Sequence, residues 1–145
     1  MKISIGSDHR GVQQRQALTE IIESLGHEVD DQGSFSDEPS DYPDIAEQVA
    51  NTVSEGKTDR GILVCGTGIG MSMAANKIKG IRAALANDVE SAKLSRQHNN
   101  ANVLCLAGND FSKENYKAVL TAWLTTDFEG GRHERRVNKI ADLEC

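Results

Sequence analysis

The sequence has no apolar run long enough to cross a bilayer, no surplus of positive charge and only three cysteines, and each shortage removes a class of function. A membrane-spanning helix needs about 20 consecutive, mostly apolar residues, so no membrane role is expected. Residues 1–6 have neither the long hydrophobic region nor the small-residue cleavage site of a secretory signal, and a cytoplasmic location is the expectation. Lys and Arg number 16 against 22 Asp and Glu, a formal charge of −6, which argues against broad attraction to nucleic acid or an anionic membrane. Any anionic ligand must be met by a local group of cations. Cys65, Cys105 and Cys145 form neither an even disulfide set nor a closely spaced metal pair, so reduced thiols are expected. His9, His27, His98 and His133 are scattered without HExxH or related spacing, and we assign no metal and no cofactor.

What is present is an alternation of short β-branched runs and helical stripes. Lys2-Ile3-Ser4-Ile5-Gly6 reads as a strand, followed after a polar loop by helical spacing at Leu18, Ile21, Ile22 and Leu25. Gly26 is placed to stop that helix, and His27-Glu28-Val29-Asp30-Asp31 offers a weaker, charge-rich strand. Pro43 suits the first turn of a helix with the stripe Ala46, Val49, Ala50 and Val53. Gly61-Ile62-Leu63-Val64-Cys65 is apolar on both alternating faces, the pattern of a central parallel strand. A helix through about Lys77, a strand over Ile81 to Ala86, a helix near 89–97 and a strand over Asn102 to Leu106 continue the series. Tyr116, Val119, Leu120 and Trp123 mark another helix, and a last one from about Glu134 to Leu143 is expected to turn Val137, Ile140 and Ala141 inward.

With no linker or low-complexity tract, residues 1–145 form one domain. The pattern implies a doubly wound, mostly parallel five-stranded α/β sheet with helices on both faces, Rossmann-like in arrangement. Such sheets bind ligands beyond the carboxyl ends of their strands. The loops Ser7 to Gly11, Cys65 to Gly70 and Leu106 to Asp110 should therefore share one rim.

In Cys65-Gly66-Thr67-Gly68-Ile69-Gly70, alternate glycines let backbone N–H groups approach a ligand closely and face negative charge. A nucleotide-phosphate loop is the competing reading, but G-x-G-x-x-G is not completed and Lys77 is misplaced for a Walker lysine. Cys65 sharpens the choice: beside those N–H groups and a helix start, a thiolate is favoured and is available as a base. Cys105, within a strand, reads as a small packed hydrophobe. Asp8 and His9 follow the first strand onto the same rim. His98 and Asn99 stand before a strand, on the wrong rim for their own subunit unless the site lies at an interface. Arg132 and Arg136 fall on one helical face at i, i+4, suited either to a bound anion or to a solvated surface. Tyr42 is a helix-entry residue whose hydroxyl is long enough to meet a polyol.

Taken together, Ser7-Asp8-His9-Arg10-Gly11, Asp41-Tyr42-Pro43, the Cys65 to Gly70 segment, Ser95-Arg96-Gln97-His98-Asn99 and Gly130-Gly131-Arg132-His133 resemble the ribose-5-phosphate isomerase B family, which includes galactose-6-phosphate isomerase subunits. The resemblance implies aldose–ketose isomerisation of a sugar phosphate without a cofactor, with ribose 5-phosphate and ribulose 5-phosphate as first choice and allose or galactose 6-phosphate as alternatives. It implies a homodimer, or a dimer of dimers, with shared active sites. Carried over, Cys65 is the base, the N–H groups of Gly66, Gly68, Ile69 and Gly70 stabilise the enediolate, and Thr67 assists proton movement. His98 of a neighbouring subunit, with Asp8, opens the sugar ring. Asn99 and Tyr42 orient hydroxyls, while His9, Arg132 and Arg136 hold the phosphate. The chain departs from many relatives at Asn109, where they carry an arginine, and Met71 stands where some relatives have a glutamate base.

Overall fold

The computed structural model describes residues 1–34 and 39–144. Cys145 lies outside them. Five strands, β1 (Lys2–Ser7), β2 (Glu28–Asp31), β3 (Arg60–Cys65), β4 (Ala83–Leu85) and β5 (Val103–Ala107), form one sheet in the order β2-β1-β3-β5-β4. Every pairing is parallel. The helices are α1 (Val12–Ser24), α2 (Tyr42–Ser54), α3 (Ile69–Ala75), α4 (Val89–Gln97), α5 (Lys113–Thr125) and α6 (Arg132–Ala141).

The two faces of the sheet are buried by different sets of side chains, as the doubly apolar β3 sequence requires. Ile62 and Val64 point into a cluster with Leu18, Ile22, Leu120 and Trp123 from α1 and α5. Leu63 and Cys65 point the other way, towards Ala46, Val49 and Met71 from α2 and α3. Trp123 is fully buried, yet its indole Nε1 has no hydrogen-bond partner among the described residues. Trp123→Ala should therefore cost about 3–5 kcal/mol, whereas Trp123→Phe, which removes the unpaired N–H and keeps most of the ring, should cost less than about 1.5 kcal/mol. Urea denaturation of the two variants checks both figures.

Three boundaries and the inward face of one helix differ most from the sequence reading. β4 keeps only Ala83–Leu85, because the N–H groups of Arg82 and Ala83 are taken by the side chains of Asn102 and Asn76. α3 ends at Ala75 rather than near Lys77. α6 begins at Arg132, so its first turn contains the arginine expected ahead of it. Ile140 and Ala141 do not turn inward: α6 buries only His133 and Val137 within this chain, and Ile140 is exposed. The apolar stripe on α6 is real, but the described residues leave Ile140 and Ala141 uncovered.

β1 lies between β2 and β3, so the connection leaving β1 runs to one side and the sheet then continues on the other. That reversal opens a crevice between the loops that follow β1 and β3, where ligands of such sheets bind.

Candidate active site

The crevice holds a cleft of about 130 Å³ whose lining includes Asp8 and Arg10 after β1, Cys65 and Gly66 after β3, and Gly108 and Asn109 after β5. The three loops expected on one rim do meet there. Their backbones are tied together: Gly108 N–H donates to the Cys65 carbonyl at 2.7 Å, and Asn109 N–H to that of Gly66 at 3.0 Å.

Cys65 is the last residue of β3, is almost buried and is among the residues that line the cleft. The Gly68 N–H donates to its Sγ at 3.2 Å. Gly68 has φ +81°, and a Cβ there would lie 3.0 Å from the Leu106 backbone. Only glycine turns the chain tightly enough to bring that N–H back onto the sulfur. The Ile69 N–H donates to Thr67 Oγ1 at 3.2 Å, which leaves the threonine hydroxyl proton available for donation. Two of the amides expected to meet a developing oxyanion are thus engaged within the loop itself. Met71 is fully buried in the core and offers no chemistry to the cleft.

Tyr42, at the start of α2, lies directly against Gly70: a Cβ on that glycine would fall 2.3 Å from the tyrosine ring. Its half-exposed ring therefore borders the same loop. His9 accepts a hydrogen bond at Nδ1 from Ser40 N–H at 3.2 Å, so a neutral ring carries its proton on Nε2. Asp8 is held by its own turn, its Oδ1 accepting from Arg10 N–H at 3.0 Å.

His98, Asn99, Arg132 and Arg136 do not join this group. His98 caps the end of α4 before β5, at the opposite edge of the parallel sheet from Cys65. A five-residue strand at ~3.3 Å per residue separates the two rims by roughly 16 Å. Asn99 borders a separate cavity of about 670 Å³ with Lys77, Ile140 and Leu143. Lys77 being there, a Walker-type reading of the glycine loop has no lysine.

Around His98 the structure adds residues the sequence reading did not single out. His133 stacks on its ring at 4.2 Å with an interplanar angle of 10°, and Glu129 Oε1 approaches His98 Nε2 at 3.6 Å. Burial and the nearby His98 and Arg132 push the His133 imidazole below its ordinary pKa, which favours its neutral form. Donor atoms of His98, Glu129 and His133 all lie within 4.8 Å of one another. Near-parallel stacked rings keep their lone pairs in separate planes, however, so the two histidines as placed do not converge on one ion.

The turn carrying His98 and Asn99 is braced by two more arginines. Arg96 donates to the Ala101 carbonyl at 2.7 Å and to Asn100 Oδ1 at 2.9 Å, and Arg82 Nε donates to the Asn100 carbonyl at 2.8 Å. Burial lowers the Arg96 guanidinium to about 10. The sequence reading assigned these two arginines no role of their own; the fold shows them as struts.

Fold and cleft together define an α/β protein with a cysteine and a glycine-rich loop at the carboxyl end of the central strand of a parallel sheet. Comparison with known proteins makes the class specific. Residues 3–140 match the family model described as Ribose/Galactose Isomerase, and the chain belongs to that family and is an isomerase. It is 46% identical over 143 residues to ribose-5-phosphate isomerase B of Escherichia coli, covering 99% of this chain and 96% of that one. It is 39% identical over 148 residues to D-erythrulose-4-phosphate isomerase of Pectobacterium atrosepticum, covering 99% and 95%. The crystal structure of ribose-5-phosphate isomerase B from Mycoplasma genitalium with bound ribulose-5-phosphate superposes with a TM-score of 0.91 at 43% identity, covering 97% of this chain and 94% of that one.

Proposed function

We propose that this chain interconverts ribose 5-phosphate and ribulose 5-phosphate through an enediolate, with the Cys65 thiolate as base. The observation that carries this reading is Cys65 itself, at the end of a buried strand, on the wall of a cleft, with a glycine loop folded back onto its sulfur. The relatives named for ribose 5-phosphate, one of them holding ribulose 5-phosphate, support the choice of substrate.

In the aldose-to-ketose direction the thiolate takes the proton from C2 of the open-chain sugar, and the C2–H electron pair moves in to make the C1–C2 double bond as the C1 carbonyl becomes an oxyanion. Loop N–H groups of Gly66 to Gly70 that stabilise this charge lower the barrier most if they meet the enediolate better than the starting carbonyl. Since the Gly68 N–H faces the sulfur, proton transfer to the thiolate frees it at the step when oxyanion charge appears. Thr67 relays the hydroxyl proton from O2 to O1, and the thiol then protonates C1 to complete the ketose. Asp8 lies in the same cleft, placed to act on the ring oxygen or anomeric hydroxyl during opening. Neither proton abstraction nor enediolate stabilisation calls for a cofactor in this scheme.

The remaining roles belong to a second subunit. His98, Asn99, Arg132 and Arg136 sit at the far edge of the sheet, and α6 leaves Ile140 uncovered. In a homodimer, alone or paired into a dimer of dimers, this edge of one subunit completes the cleft of the other: His98 opens the ring with Asp8, Asn99 and Tyr42 orient hydroxyls, and Arg132, Arg136 and His9 hold the phosphate. His133, stacked on His98, fixes its orientation.

The substrate is tested by offering the purified protein ribose 5-phosphate, erythrulose 4-phosphate, allose 6-phosphate and galactose 6-phosphate in deuterated water and following aldose–ketose interconversion by proton NMR. Ribose 5-phosphate should give the highest kcat/KM, with deuterium entering at the carbon beside the carbonyl. A higher value for a four- or six-carbon sugar would reassign the substrate within the family, and turnover of none would remove the isomerase assignment for the chain acting alone.

A further inference from the structure

Arg10 is the only cation among the described residues that line the Cys65 cleft. Its guanidinium is exposed and makes no ion pair or hydrogen bond with any described residue, while the backbone beneath it is firmly held. The Arg10 N–H donates to Asp8 Oδ1, the Gly11 N–H donates to the Asp8 carbonyl at 3.0 Å, and Gly11 is packed so closely on Ser7 that a Cβ would lie 2.5 Å from the serine Cβ. A fixed backbone with an unengaged charge at the mouth of a cleft is suited to a ligand rather than to holding the fold.

The charge balance of the cleft says which ligand. Without Arg10 the described residues of the lining contribute only the negative charge of Asp8, and a phosphomonoester carries about −1.5 to −2 at neutral pH. Such a ligand would enter an anionic cleft in an anionic protein. Across the cleft from the β1 loop, Asn109 rests over Gly66, its Nδ2 3.1 Å from where a Cβ on that glycine would stand, and it offers amide donors but no charge. We propose that Arg10 supplies from within the same chain the positive charge that holds the substrate phosphate, with the Asn109 amide as its neutral partner. This rests on the isomerase reading above. It assigns the charge absent at position 109 to the loop after β1, so each cleft has one phosphate-holding cation before any second subunit contributes.

Arg10→Ala, Arg10→Lys and the double variant Arg10→Ala/Asn109→Arg test this by steady-state kinetics with ribose 5-phosphate and inhibition by inorganic phosphate. Loss of one charge-assisted, bidentate contact should raise KM and the phosphate inhibition constant together by about tenfold or more, with kcat changed by less than about threefold. Arg10→Lys should recover part of the loss, because a point charge replaces a planar fork. The double variant should recover more than Arg10→Ala alone. KM and phosphate inhibition both within about twofold of wild type in Arg10→Ala would overturn the proposal. If the wild-type protein turns over no sugar phosphate, the isomerase reading falls, and calorimetric titration with inorganic phosphate still decides the role of Arg10: weaker binding by Arg10→Ala supports it, and equal binding overturns it.

Discussion

Cys65→Ala is expected to lower kcat for ribose 5-phosphate by about 10³-fold or more, with KM little changed, because it removes the only group in the cleft assigned to carry the carbon-bound proton. The substitution is also a clean one. Cys65 packs in the α2–α3 cluster and, among the described residues, its Sγ accepts one hydrogen bond, from the Gly68 N–H. Alanine removes one atom and leaves β3 intact, so the melting temperature and circular dichroism spectrum should stay near those of wild type. The decisive reading is exchange: wild type should wash deuterium into the sugar beside the carbonyl, and a folded Cys65→Ala protein should not. Retention of exchange at the wild-type rate would move the base to another residue, with Asp8 the first to examine. Cys65→Ser should also be slow, since a serine hydroxyl is far less acidic than a thiol and offers little oxyanion as base at neutral pH.

The contrast between the two halves of the candidate site explains how far the sequence could be read. β3 and its loop were legible because two local rules coincide: an uninterrupted apolar run marks a strand buried on both faces, and alternate glycines directly after it mark a backbone that must turn tightly. Asp8 and Cys65 could be placed on one rim from the expectation of a parallel sheet, since each follows or ends a strand. What local pattern could not supply is the pairing of distant side chains. The stacking of His133 on His98, the approach of Glu129 and the bracing of the Asn100 turn by Arg82 and Arg96 join residues far apart in sequence and carry no periodicity. β4 was overestimated for a related reason: side-chain amides of Asn76 and Asn102 replace ladder hydrogen bonds there, which an apolar run does not record. The expectation for Ile140 and Ala141 failed differently. Amphipathic spacing identifies an apolar face, but not whether the same chain covers it.

That uncovered face leads to the second large effect, complementation between two inactive variants. His98→Asn alone should lose about 10²-fold or more in turnover of the cyclic sugar, because ring opening loses its acid while the thiol remains. Cys65→Ala is inactive for the reason above. If Cys65 and His98 of one chain serve different sites, a dimer made from one chain of each variant has one site carrying both defects and one site carrying neither. Random association makes about half of the dimers mixed, each with one working site of two, so co-expression should restore about a quarter of wild-type activity. The same fraction holds for a dimer of dimers if its sites do not influence one another. If each chain instead completed its own site, every site in the mixture would contain one defect, and the activity would not exceed the average of the two variants. The outcomes differ by more than tenfold, well beyond uncertainty in the mixing ratio. They bear on the geometry directly: His98 and Cys65 lie at opposite ends of the same parallel sheet, so one chain as folded does not bring them to a common substrate.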